Sequence, residues 1–449
     1  MTQKVMPLKW ESDQSAAGLT AYAGLPLFMG LMSALNLPER MSERVGLRCD
    51  QGWSDVQQIS ALVLLKLAGG ACLDDLEMLE ADPGLCAAVG RMESYRLRES
   101  RRESIDARIR RGGERTFPSP SAARGYLEDI EPEALVTKAA GTEGASILEP
   151  GNALEGLREL AAMPVRYGKL WPREQTTATL DVDATVAETA NRSAKHCYKG
   201  MKAYQPLSVY WFERRQIIHS EFRDGQCPAG WRIQEVVEDG LSQLPETVET
   251  VRLRSDTAGY QSDFLRAMAQ GDLEETGTIE FGVGVPMNDA FKQSCLQVDE
   301  STWEPLEVDH GSHLEYARVP FVPNWLGHTR RDLGIRFIAI REQLAQKSLP
   351  ILEDEPAQAD LPFPTMDFEA GGYKISGIVT NRQLDDADLV RWHYERCGHS
   401  EAAHGECKVD LGGMPFPSSD SFHANAAWWQ LTVLAFNLQV LLQRDFLRL

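Results

Sequence analysis

The period of the apolar residues changes near Thr176, and this change constrains the fold of the chain more than any other feature. From Ala21 to Gly90 apolar side chains recur at helical spacing (Leu25, Leu27, Phe28, Leu31, then Ile59, Leu62, Val63, Leu65, Leu67), with Gly and Pro between the groups. From Thr176 the pattern becomes alternation. Thr177-Ala178-Thr179-Leu180-Asp181-Val182-Asp183 reads as a strand, and Tyr204–Trp211 and Ile217–Phe222 follow as two more. A helix over Trp231–Leu241, a strand Thr250–Arg254, a helix Ser262–Ala269 and a strand Thr278–Val285 complete the order βββαβαβ. That order excludes an all-helical or all-β chain. It predicts a mixed sheet covered by helices, with a site near the ends of the central strands.

At 449 residues the chain is long enough for two or three structural units. Residues 1–140 read as a helical domain. A short helix follows the Pro-Ser run 117–121, with a helix-turn-helix possible there, and Gly-rich 141–175 reads as a linker. Residues 176–294 are the first part of the α/β core. Residues 295–381, with strand-like Glu315–Val322, Ile335–Arg341 and Gly372–Val379 among prolines, read as a β-rich insertion. Residues 382–449 are the helical return of the core, as Asp385–Val409 and Phe422–Phe446.

Nothing in Met1–Ser15 resembles a secretory signal, so a cytoplasmic address is expected. The most apolar stretches, Ile59–Leu73 and Ala426–Leu442, are interrupted by Lys66 and by Gln430, Asn437 and Gln439; they predict buried helices, with no membrane partner. The eight cysteines contain no CxxC pair and read as reduced thiols. Net charge is −20, which works against binding a polyanion. Its distribution is uneven: residues 91–124 hold ten arginines against five acids. Within that stretch Arg96, Arg98, Arg101, Arg102, Arg108, Arg110 and Arg111 are candidates for gripping DNA, against the plainer reading of a solvated helix laced with Glu99, Glu103 and Asp106.

Two carboxylates at neighbouring strand ends and a third on a later helix can bracket a pair of divalent ions, and oxygen-only ligands suit Mg²⁺. Asp183, Asp256 and Glu401 occupy such places in the predicted elements. Asp181 reads as a solvent-facing strand residue, or else as an alternate ligand. Cys397, His399, His404 and Cys407 have no standard zinc spacing.

The motifs Asp181-Val182-Asp183-Ala184-Thr185, Tyr198-Lys199-Gly200 through Tyr204-Gln205-Pro206-Leu207, and Arg254-Ser255-Asp256-Thr257-Ala258-Gly259 resemble those of the bacterial insertion-sequence DDE transposases. The resemblance is to the cut-and-paste group with an RNase H-like core, a β-rich insertion and a Tyr-Arg-Glu-Lys motif. It covers most of the chain from about Thr176. Tyr394, Glu401 and Lys408 keep the intervals of that last motif, whereas its arginine position is Cys397 here, with Arg396 one place early.

The resemblance implies an RNase H-like mixed sheet and Asp183, Asp256 and Glu401 as catalytic ligands of two Mg²⁺ ions, for which Mn²⁺ can substitute. It also implies cleavage at transposon ends followed by strand transfer. The DNA partners are terminal repeats and target DNA, engaged by a homodimer in a nucleoid-associated setting. Arg396 and Lys408 would hold phosphate, with Arg101, Arg102, Arg110 and Arg111 on the terminal repeats and Trp303 stacking on an extruded base. For Trp303 a buried core position is the favoured reading, with base stacking the alternative that the resemblance adds. The competing functions are a domesticated, inactive DNA-binding protein and a simple nuclease on the same fold.

Overall fold

The computed structural model describes residues 18–47, 52–96, 115–130, 136–138, 146–148, 151–166, 175–273, 277–307, 314–327, 333–343, 368–370 and 372–447. The chain is a mixed α/β protein with one large mixed sheet.

The helical N-terminal part comprises α1 (Leu25–Ala34), α2 (Leu37–Arg44), α3 (Asp55–Leu67), α4 (Leu76–Glu80), α5 (Pro83–Arg96) and α6 (Pro120–Asp129). Helix α3 starts at a capping box in which Ser54 and Gln57 satisfy each other's backbone N–H groups. Helix α6 starts at Ser119, whose hydroxyl accepts from the Ala122 N–H at 3.3 Å. A short antiparallel hairpin, β1 (Val136–Lys138) and β2 (Ser146–Leu148), follows. The stretch 141–175, expected as a linker, contains α7 (Asn152–Arg166), whose Leu154, Leu157, Leu160 and Val165 are buried. An apolar stripe at i, i+3, i+6 explains the helix, and the single glycine in it is a packing residue: a Cβ on Gly156 would stand 2.3 Å from the Arg44 carbonyl.

The core strands are β3 (Thr177–Ala184), a small three-stranded sheet of β4 (Ala187–Glu188), β5 (Lys195–His196) and β6 (Lys202–Tyr204), then β7 (Leu207–Trp211) and β8 (Gln216–Glu221). Helix α8 (Ile233–Leu241) leads to β9 (Thr250–Ser255), and α9 (Ser262–Gln270) leads to β10 (Glu280–Gly284). Strand β3 pairs antiparallel with β7 and parallel with β9, and β9 pairs parallel with β10. The two parallel steps each need a crossover, and α8 and α9 supply them.

Beyond β10 come α10 (Asp289–Leu296), β11 (Glu304–Leu306), β12 (Leu314–Val319), α11 (Asn324–Gly327), β13 (Arg336–Gln343), β14 (Phe368–Ala370) and β15 (Tyr373–Thr380). The strands expected as an inserted β-rich subdomain are continuous with the central sheet. Its order is β11-β12-β13-β15-β10-β9-β3-β7-β8, with β14 also on β15. Pairing of β15 with β10 covers an edge that a five-stranded core would leave open.

The C-terminal segment forms α12 (Asp386–Tyr394), α13 (His399–Lys408) and α14 (Phe422–Leu441), running on into a π turn at Leu442–Leu447. The single helix expected over Asp385–Val409 is two helices because Gly398, at φ +95°, takes a backbone conformation that L side chains rarely adopt. Helix α14 is buried on all sides and packs in one cluster with the N-terminal helices, so its apolar residues show no single face. Its polar residues close the other edge of the sheet. Asn437 accepts from Ile217 N–H at 3.0 Å and donates to the Ile217 carbonyl at 2.7 Å, while Gln430 donates to the Ser220 carbonyl at 2.7 Å. The residues that interrupted the hydropathy of this helix therefore satisfy the backbone of β8. Among the described residues no helix is long and apolar enough to cross a membrane.

On β10, glycine decides how closely α12 can approach the sheet. A Cβ at Gly282 would lie 2.9 Å from Trp392 Cζ3 and 3.4 Å from His393 Nδ1. Gly282→Val is expected to push α12 outward and lower stability by about 1–3 kcal/mol, the usual cost of overpacking. An unchanged denaturation midpoint would show that α12 does not bear on this strand.

Candidate functional site

The parallel ladder between β3 and β9 places two acids side by side. The ladder runs to Val182 opposite Ser255, so Asp183 and Asp256 are the next residues of the two strands. Paired residues of adjacent strands point to the same side, and such strands lie ~4.8 Å apart. Asp181 and Arg254, two residues earlier, pair in the same register on that side.

Asp181 and Arg254 form a fully buried ion pair, with Nε to Oδ1 at 2.6 Å and Nη2 to Oδ2 at 2.9 Å. This corrects the expectation of a solvent-facing Asp181: α12 covers this face of the sheet, so a carboxylate here must be paired. Arg254 also donates from Nη1 to the Trp392 carbonyl at 2.6 Å, in the last turn of α12, and lies over the ring of Phe212 at 4.5 Å. One guanidinium thus joins β3, β9 and the end of α12. The sequence carried a signal for it, an Asp-x-Asp pattern on one strand matched by Arg-x-Asp on its parallel neighbour, but the match becomes visible only once the register is known.

Beyond that ion pair the site opens toward solvent. Asp183 is mostly buried, with 17% of its side chain exposed, and Arg396 Nη1 lies 3.9 Å from its Oδ2. Ser400 Oγ stands 3.5 Å from the same oxygen. Burial pushes the Asp183 carboxyl up to about 6; the Arg396 cation opposes the rise, and the negative charges of Asp256 and Glu401 add to it. Asp256 and Glu401 therefore both act electrostatically on Asp183, although 218 positions of sequence separate it from Glu401.

Each acid is held differently. Asp256 caps the turn after β9, its Oδ1 accepting from the Ala258 N–H at 2.9 Å. Glu401 is exposed in the first turn of α13, where a helix N-terminus favours negative charge. Among the described residues no three His, Cys, Asp or Glu side chains are already gathered as a group able to hold a metal ion. The three acids supply oxygen only, the donor set that hard divalent ions take.

The cationic residues of the expected motif also reach this place. Arg396, one position early in sequence, is the basic group beside Asp183 because the chain turns between Glu395 and Gly398. Lys408 donates to the Val186 carbonyl at 3.3 Å, just past the end of β3. Burial and the neighbouring Lys199 lower its pKa, and Asp183 raises it. Tyr394 lies on α12, where burial raises the pKa of its hydroxyl. His404 is buried with its Nε2 unpartnered, and burial followed by Lys408 lowers it to about 4, so it is neutral near pH 7.

Trp303 is elsewhere. Its ring lies under the Arg341 guanidinium at 4.3 Å, partly buried at the far end of the sheet, and Tyr373 lies against the same guanidinium at 4.3 Å. The indole packs against the core cluster, as the favoured reading has it, and one of its faces is taken by an arginine. Arg98, Arg101, Arg102, Arg108, Arg110 and Arg111 lie outside the described residues. Ser400, Ser255 and Arg254 were not singled out from sequence. Ser255 is buried beside Asp256 with an unpartnered hydroxyl.

No family model matches the chain. No curated protein matches it in sequence. Among solved structures, a cryo-EM structure of a piggyBac transposase synaptic complex with hairpin DNA aligns with a TM-score of 0.43 at 9% identity, covering 94% of this chain and 76% of that one.

Proposed function

We propose that this protein is a metal-dependent DNA-cutting and DNA-joining enzyme of the DDE transposase type, built on an RNase H-like core. The observation that carries the reading is that Asp256, just past the adjacent parallel strand end, and Glu401, on a helix more than 140 residues later, both bear electrostatically on the mostly buried Asp183. Supporting it, the order β8-β7-β3-β9-β10, antiparallel on one side of β3 and parallel on the other, follows the βββαβαβ chain order of RNase H-like domains.

In this reading Asp183, Asp256 and Glu401 hold two Mg²⁺ ions, or Mn²⁺ in their place. When bound, the ions activate the attacking water or 3′ hydroxyl and stabilise the leaving oxygen. The chain's own residues do the rest. Arg396 and Lys408 bring positive charge to the phosphate backbone beside Asp183. Ser400 donates to Asp183 and limits its rotation. The Arg254–Asp181 pair holds the end of α12, and through the 395–398 turn the start of α13, against the strand ends. Pairing of DNA ends by a homodimer, with terminal repeats and target DNA as substrates, belongs to the same reading.

One observation favours a non-catalytic DNA-binding descendant: among the described residues the three carboxylates are not drawn into a single group. An assay separates the two readings. Duplexes taken from the DNA flanking the protein's own coding sequence, end-labelled and incubated with the full chain and Mg²⁺, should be cut and joined to a second duplex, with EDTA abolishing both reactions. Cutting without joining would make it a nuclease, and tight binding with neither reaction would make it the non-catalytic protein.

A further inference from the structure

We propose that the hairpin of residues 189–204, beside the acidic site, is a docking strip for the phosphate backbone of duplex DNA. The inference rests on the transposase reading and supplies a binding surface for it. From Thr189 to Phe212 the sequence has no Asp or Glu, yet it holds Arg192, Lys195, Lys199 and Lys202 in a chain of net charge −20. A solvated surface of this protein would by default be acidic, so an acid-free basic run marks a local sign reversal.

The structure presents that run outward and fixes it. Lys195, His196 and Lys199 are exposed, and Tyr198 is 55% exposed with the Lys199 ammonium 5.6 Å from its ring centroid. Neither Lys195 nor Lys199 forms an ion pair with a described residue. Of the nearby acids, Asp420 pairs with Arg192, and Glu188 is exposed on β4, across Ala203 from Lys195.

The hairpin is not loose. Asn191 Nδ2 donates to the Ser418 carbonyl at 2.7 Å, Ser193 N–H donates to the Ser419 carbonyl at 3.0 Å, and Asn425 Nδ2 donates to the Tyr204 hydroxyl at 2.9 Å. Gly225 packs so tightly beneath it that a Cβ there would lie 2.5 Å from the Lys195 carbonyl. A preordered cationic surface loses little entropy when a ligand docks.

Its position joins it to the chemistry. Lys408 donates to the Val186 carbonyl at 3.3 Å, between the end of β3 that carries Asp183 and β4, the strand on which the hairpin's β6 pairs, so positive charge lies between the hairpin and the first acid. A polyanion lying on Lys195 and Lys199 and continuing past Lys408 would bring one of its phosphates to Asp183. Duplex DNA has regularly spaced phosphates along such a path, and Tyr198 offers a flat surface against the sugar-phosphate edge.

The test is a salt titration of DNA binding without chemistry. The full chain and a Lys195→Ala/Lys199→Ala double variant are titrated against a fluorescein-labelled duplex in EDTA, reading anisotropy at several salt concentrations. Removing one lysine–phosphate pairing lowers the slope of log K against log salt by ~0.9, so the double variant should show a slope shallower by about 2 and bind about tenfold more weakly at 0.15 M salt. Arg40→Ala, an exposed change on α2, should leave both values unchanged.

An unchanged slope in the double variant would overturn the proposal, as would polyglutamate binding as tightly as DNA of equal charge. If the slope falls while the unmodified chain neither cuts nor joins, the strip stands and the transposase reading fails. If the chain cuts and joins while the slope is unchanged, the transposase reading stands and the strip fails.

Discussion

Asp183→Asn should abolish DNA cleavage and, in the same protein, raise the melting temperature at pH 8. Both effects come from one carboxylate. Loss of a ligand that helps stabilise transition-state charge by several kcal/mol corresponds to a rate loss of ~1,000-fold or more. The stability gain has a different origin. Burial, together with Asp256 and Glu401, lifts the folded-state pKa of Asp183 from 3.8 to about 6 despite Arg396. The folded state therefore binds this proton more tightly than the unfolded chain does. Its contribution to stability is fully present below about 4 and is lost as pH rises through about 6.

At pH 8 the ionised carboxylate is thus a net burden of order 2–3 kcal/mol, which asparagine removes. The melting difference between variant and native protein should be several degrees at pH 8 and vanish near pH 4. Saturating Mg²⁺ should stabilise the native protein and leave the variant almost unmoved, a readout independent of catalysis. Equal melting temperatures at pH 8, or equal Mg²⁺ stabilisation of both proteins, would remove Asp183 from the proposed metal site.

Arg254→Met should cost about 3–5 kcal/mol, because it strands the buried Asp181 carboxylate without its partner. Removing both charges tells more. Asp181→Leu/Arg254→Met replaces a buried ion pair by apolar volume, a change that is often neutral, so most of the lost stability should return. Activity should not return with it. The Trp392 carbonyl loses its 2.6 Å bond from Arg254, and the 395–398 turn that sets Arg396 and Glu401 loses its anchor on the sheet. The double variant is expected to fold with near-native stability and bind DNA as the native chain does, yet cut 10- to 100-fold more slowly, the usual cost of removing a group that orients a metal ligand. Full activity in the double variant would reduce the pair to a purely structural role.

Stability and site thus depend on the same small region. Asp181 and Asp183 are two residues apart on β3, and Arg254 on β9 stands two residues before Asp256 in the following turn, so each strand leads from one buried, compensated charge to one charge at the rim. The compensated pair fixes the geometry, and the rim pair is left short of positive charge. Arg396 stands 3.9 Å from Asp183, and in the proposed function a divalent cation would supply the remaining positive charge.

The sequence by itself determined the periodic elements and the candidate acids. Alternation in 177–183, the helical spacing of Ile59 through Leu67, and strand-end aspartates at 183 and 256 are local properties, set by which residues can face a core every second or every third to fourth position. Only tertiary structure decided how these parts meet. No local pattern shows that the strands after residue 295 extend the sheet at β10, that α14 caps the edge of β8 with Asn437 and Gln430, or that Asp181 is buried opposite Arg254. The cause lies in the interactions themselves: strand pairing, edge capping and ion pairing join residues tens to hundreds of positions apart, and their energies depend on register and burial, which no short stretch of sequence contains.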